Sequence, residues 1–94
     1  MILGYKDRKT EQFANGEIVK KFQGFASQSE RRLAILNAAT SLDDLHVMRS
    51  NRLEALRGDR AGQYSFRINQ QWRICFIWPV NDPGPSNVEI VDYY

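Results

Sequence analysis

Residues 58–76 read GDRAGQYSFRINQQWRICF, and the way this stretch alternates decides the architecture. From Gln63 to Ile68, Tyr64, Phe66 and Ile68 fall on one side of an extended chain, with Gln63, Ser65 and Arg67 on the other. The same period of two from Trp72 to Trp78 separates Trp72, Ile74, Phe76 and Trp78 from Arg73, Cys75 and Ile77. Asn69, Gln70 and Gln71 supply a polar reversal between the two runs, so the stretch predicts an antiparallel hairpin. Its aromatic side needs helices over it. Its other side presents Arg67 and Arg73 as an open face, which suits an anionic ligand.

Outward from the hairpin, the remaining segments read as its support. Met1 to Tyr5 is short and apolar, a candidate strand opening the sheet. Asp7 can cap a helix running to about Phe13, with Asn15 and Gly16 as its stop signal. Glu17 to Gly24 lacks a sustained period and reads as a packed connection. Ser27 and Glu30 have the spacing of a capping box, and Leu33, Leu36, Asn37 and Thr40 mark the sheet-facing side of the helix that follows. Ser41 with Asp44 can restart a short turn through Leu45. His46, the single histidine, reads as a solvated imidazole near a helix end. Leu53 to Leu56 allows a short strand before the tight turn at Gly58. Asn81 to Asn87, with two prolines and a glycine, forms a loop, and Val88 to Tyr93 supplies a last strand. The expected fold is α+β: an antiparallel-rich sheet of four to five strands with two to three helices packed on one face.

Composition bounds what such a fold can do. A chain of 94 residues, 43% hydrophobic and 26% charged, supports one domain over residues 1–94 with one modest core. Its mean hydropathy is −0.51, and no apolar run approaches the roughly 20 residues of a membrane span. The N-terminus does not read as a secretory signal, which points to the cytoplasm and away from a membrane partner. One cysteine, Cys75, excludes an internal disulfide framework and a zinc site built on paired cysteines. Packing within a strand is its expected role.

The net charge of +2 is mild, but its distribution is uneven. Six arginines lie between Arg49 and Arg73 (Arg49, Arg52, Arg57, Arg60, Arg67, Arg73) against Glu54 and Asp59. Arginine adds a planar five-donor fork suited to phosphate and to stacking on bases. The plainer alternative is a solvated basic loop and sheet edge.

The run from Leu53 to Phe76, LEALRGDRAGQYSFRINQQWRICF, with VEIVDYY closing the chain, resembles the HigB branch of the RelE/ParE-like toxins, and the resemblance covers essentially the whole chain. It implies a RelE-like fold and a toxin of a type II toxin–antitoxin system. The implied activity is ribosome-dependent cleavage of mRNA with no metal or cofactor. Implied partners are the ribosome, mRNA and a cognate helix-turn-helix antitoxin of HigA type, through which alone operator DNA is bound. The 2'-hydroxyl of the RNA attacks the adjacent phosphate, so the protein must take a proton, stabilise charge on phosphorus and protonate the leaving oxygen.

Residue by residue, Arg73 matches the family's sheet arginine and holds the phosphate; its alternative role is a surface ion pair. Arg57 stands where the family often has a catalytic lysine and, always protonated, acts only electrostatically. Glu54 falls where a relative has histidine; it is a candidate base or, alternatively, a salt-bridge partner of Arg52 or Arg57. Tyr93 matches the terminal family tyrosine, for stacking worth about 1 to 3 kcal/mol per base or for proton transfer. Asp92 would orient an arginine or the substrate. Tyr94 replaces a histidine of close relatives and is a weaker general acid. Arg52, Arg60, Arg67 and Tyr94 are the expected RNA-binding residues. Within the same fold, a toxin that binds a protein target such as a topoisomerase, or a plain RNA-binding module, is the alternative.

Overall fold

A computed structural model describes residues 1–47 and 52–92. These residues form three α-helices and a four-stranded antiparallel sheet: α1 Arg8–Ala14, α2 Ala26–Ala38, α3 Leu42–His46, β1 Glu54–Ala55, β2 Tyr64–Arg67, β3 Arg73–Ile77 and β4 Ser86–Val91. The sheet order is β1-β2-β3-β4. Short connections let each strand pair with the next one in the chain.

The central hairpin forms as its alternation predicts. Tyr64 pairs with Phe76, Ser65 with Cys75, Phe66 with Ile74 and Arg67 with Arg73. Its reversal is held by Asn69, whose Oδ1 accepts from Gln71 N at 2.8 Å and Trp72 N at 2.7 Å. An asparagine side chain here takes the place of a backbone acceptor. Phe66, Ile74 and Phe76 are fully buried against Phe22, Leu36 and Leu45 of the helical layer.

The helical layer shows what each local signal was worth. The Asp7 carboxylate accepts from Thr10 N at 3.4 Å, and α1 ends at Asn15 before Gly16, whose φ of +91° is a left-handed stop. Thr10 is itself buried, and its hydroxyl accepts from Ile90 N at 3.0 Å, tying α1 to β4. The connection after α1 tightens into a 3-10 turn, Lys20–Phe25, that runs straight into α2. Phe22 meets Phe13 and Trp72 edge-on, and Phe25 stacks on Trp72 at 4.8 Å.

This aromatic anchoring explains one correction. No capping box forms at Ser27 and Glu30, because α2 begins at Ala26 with Phe25 preceding it and no side-chain cap. Ser27 thus lies inside the first turn. The buried stripe of α2 is Ser29, Leu33 and Leu36; Asn37 is exposed and accepts from Ile2 N, and Thr40 lies beyond the helix. The box does form at α3, where Asp44 reaches back to Ser41 N.

Two strand boundaries also differ from expectation. Met1 to Tyr5 gives no strand: it makes one parallel bridge, Tyr5 with Val88, flanked by Lys6 N to Val88 O and Val88 N to Gly4 O. A parallel approach to β4 from a short terminal segment leaves room for little more. At the other end, β4 starts at Ser86, inside the expected loop, because a register shift against β3 and a φ of +51° at Asn87 absorb the extra residue. The loop is closed by Gly84, where a Cβ would fall on Met1 O.

Candidate functional site

The face of the sheet turned away from the helices gathers most of the residues of interest. By register, Arg67 and Arg73 stand directly opposite each other, with Val91 beyond them on β4. The next row across the same face is Glu54, Ser65, Cys75 and Glu89. With strands about 4.8 Å apart and rows about 6.8 Å apart, Glu54 lies roughly 12 Å from Arg73 between Cα atoms, with Arg67 between them.

This face is not open, contrary to the hairpin's reading. Ser65 and Cys75 are fully buried, Arg73 is 2% exposed and Glu89 9%. The expectation of two arginines standing free on the face is met by half-buried Arg67 alone. Arg73 lies in the sheet with Nη1 donating to Asn69 O at 2.8 Å, so the turn that makes the hairpin also fixes the guanidinium.

Part of the cover is an ionic bridge that pattern reading missed. Arg60, from the 3-10 turn Gly58–Arg60, donates through Nη1 to Gln63 Oε1 at 3.0 Å and to Glu89 Oε1 at 2.9 Å. Lys6 reaches the same carboxylate oxygen at 3.3 Å. Arg60, expected to bind RNA freely, is thus engaged in the fold. Cys75 lies beneath this bridge: burial pushes its thiol up to about 11, while Arg60, Lys6 and Arg73 pull the other way. The sequence carried one signal for the missed pair. Glu89 is a carboxylate in the middle of an apolar strand, in phase with Cys75.

At the β1 edge, Glu54, Arg52 and Arg57 are all exposed, and Glu54 forms no ion pair with either arginine. Arg52 takes a φ of +49° and so leaves strand geometry before β1. Asp92 follows Val91 and falls in phase with Ile90, away from the Arg73 row; its carboxylate accepts from Gln71 Nε2 at 2.7 Å. Tyr93, Tyr94 and Arg49 lie outside the described residues. His46 is exposed. Two shallow grooves of about 330 Å³ each, one lined by Ile2, Tyr5, Phe13 and Leu33 and one by Leu42, Tyr64 and Trp78, include none of these arginines.

The sequence that builds this sheet, with helices on one face and arginines on the other, matches the HigB-like toxins, RelE-like toxins of type II toxin–antitoxin systems, over residues 4–94. The chain belongs to this family. It is 38% identical over 82 residues to Toxin HigB-1 of Vibrio cholerae serotype O1 (strain ATCC 39315 / El Tor Inaba N16961), a match covering 83% of this chain and 84% of that relative. A HigB-like toxin of a type II system has an antitoxin as its partner. Among the described residues, no helix of this HigB-like chain is long and apolar enough to cross a membrane.

Proposed function

We propose that this HigB-like toxin cleaves mRNA on the ribosome by 2'-hydroxyl attack on the neighbouring phosphate. One observation carries the reading: Arg67 and Arg73 are direct cross-strand partners. Like charges placed opposite each other destabilise a sheet, and a phosphate bound at Arg67 above Arg73 would offset that repulsion. Arg67, half-buried, takes the phosphate oxygens. Arg73 adds fixed positive charge in the floor of the site, where a low dielectric strengthens its field. Glu54, diagonal to Arg67 and without an ion pair among the described residues, is the proposed acceptor of the 2'-hydroxyl proton. Arg57 and Arg52 steer the strand electrostatically, and Tyr93 and Tyr94 are the proposed stacking and acid groups.

The partner that silences the toxin is, in this reading, a helix-turn-helix antitoxin of HigA type, and operator DNA is met only through it. The test is induction in growing cells with primer extension on cellular mRNA. Discrete new 5' ends are expected, and Arg67→Ala should lower cleavage by about two to three orders of magnitude, the scale of losing one charge-stabilising donor. Arg73→Ala should do the same, with circular dichroism confirming the fold. Growth arrest without new ends but with damaged DNA would replace cleavage with a topoisomerase-type target.

A further inference from the structure

The Lys6–Glu89–Arg60 bridge is built more firmly than an ordinary surface pair. Glu89 is 9% exposed, and one of its oxygens accepts from both cations. Two positive groups held on one carboxylate leave the cluster net positive. It sits on the same face as the Arg67–Arg73 pair, one row away and toward β4.

Lys6 is the half-exposed member, with its side chain 51% accessible against 26% for Arg60. Its base is fixed, because Lys6 N donates to Val88 O at 2.9 Å beside the Tyr5–Val88 bridge. An ammonium has three donors, and Glu89 takes one of them. The side chain is therefore pinned at both ends with donor capacity turned to solvent.

We propose that Lys6, oriented by Glu89, binds a substrate phosphate flanking the one that is cleaved. The RNA then crosses the strands, from exposed Arg52 and Arg57 at the β1 edge, over Arg67, to Lys6 beside β4. Four strand spacings make that path roughly 19 Å between backbones. Glu89 is a positioning residue in this arrangement, and Lys6 makes the contact. The inference rests on the second face being the RNA site, and its test needs no cleavage.

The experiment is binding of a fluorescein-labelled single-stranded RNA oligonucleotide to the full chain, followed by anisotropy from about 50 to 300 mM salt. Losing one phosphate contact on a single strand lowers the slope of log K against log salt by about 0.7. Lys6→Ala should show that drop and Lys6→Arg should restore the slope, whereas Lys20→Ala, on the helix-covered side, should not change it. Glu89→Gln separates positioning from charge. It makes the protein more positive, so a purely electrostatic role predicts tighter binding, whereas loss of positioning predicts binding several-fold weaker by protein that circular dichroism shows to be folded. An unchanged slope in Lys6→Ala overturns the contact, and tighter binding by Glu89→Gln overturns the positioning role. Failure of the cleavage reading would show separately, as wild-type protein that binds with the expected slope yet yields no new RNA ends.

Discussion

Strand β3 carries two kinds of burial on alternate residues. Ile74 and Phe76 turn toward the helices and are fully buried among Phe22, Leu36, Leu45 and Phe66; Arg73 and Cys75 turn the other way and are 2% and 0% exposed. Accessibility alone does not distinguish the faces, but what each side chain meets does. On the helical side, removal of apolar surface from water drives burial at about 25 cal/mol per Å². On the other side each buried polar group must be matched to a partner or its desolvation is uncompensated. The first face stabilises the fold, whereas the second keeps charge in a fixed geometry.

The largest expected effect tests the helical side. Phe66 is fully buried and meets Phe76 edge-on at 6.2 Å. Phe66→Ala should cost about 3 to 5 kcal/mol in urea unfolding, and Phe66→Leu less than about 1.5 kcal/mol. Its neighbour Ser65, equally buried on the other face, should cost about 1 kcal/mol when changed to alanine. Equal costs for Phe66→Ala and Ser65→Ala would erase the distinction between the faces.

The two faces were not equally legible in the sequence. Period-two alternation assigned Phe66, Ile74 and Phe76 to the core correctly, because one hydrocarbon wall satisfies any apolar side chain that reaches it. The same period put Arg67, Arg73 and Cys75 together on the other face, also correctly. What it could not supply is the Arg60–Glu89–Lys6 bridge, which joins residues 29 and 83 positions apart in the chain. Pairing between single charged groups has no period, so only the fold reveals it. The capping signals split for a related reason: Ser41 and Asp44 had no competitor, whereas at Ser27 a buried phenylalanine started α2 early.

A second, smaller effect sharpens the comparison at Cys75, an apolar-sized residue on the polar face. Burial outweighs three nearby cations and pushes its thiol up to about 11 from 9.0. At pH 8 the native thiolate fraction should be about a hundredfold below that of the unfolded chain, so iodoacetamide should label the native protein slowly and the urea-unfolded protein fast. The sign for stability follows. The folded state holds the thiol neutral, so its contribution is complete below pH 9.0 and declines as pH rises toward 11. Rapid native labelling at pH 8 would mean the cations dominate and that this face is wetter than its accessibility implies.

The smallest effect is expected where a polar contact is fully exposed, which serves as a control for both faces. Asp44 accepts from Thr40 N and Thr40 Oγ1 at 2.8 Å each and from Ser41 N at 3.3 Å. The Thr40 bonds, then those of Ser41, hold its carboxyl below the usual value of 3.8. A depressed carboxylate stabilises the fold above its unfolded value, and that increment fades as pH falls through the lower folded value. Wild-type protein should therefore lose a small stability increment below about pH 4 that Asp44→Asn lacks at every pH, read as a difference in melting temperature. Ser41→Ala should cost about 1 kcal/mol at neutral pH. If Ser41→Ala instead matched Phe66→Ala, the short helix α3 would be nucleating the layer that covers the sheet. The cap, and not Leu45 buried beneath it, would then be what holds α3 in place.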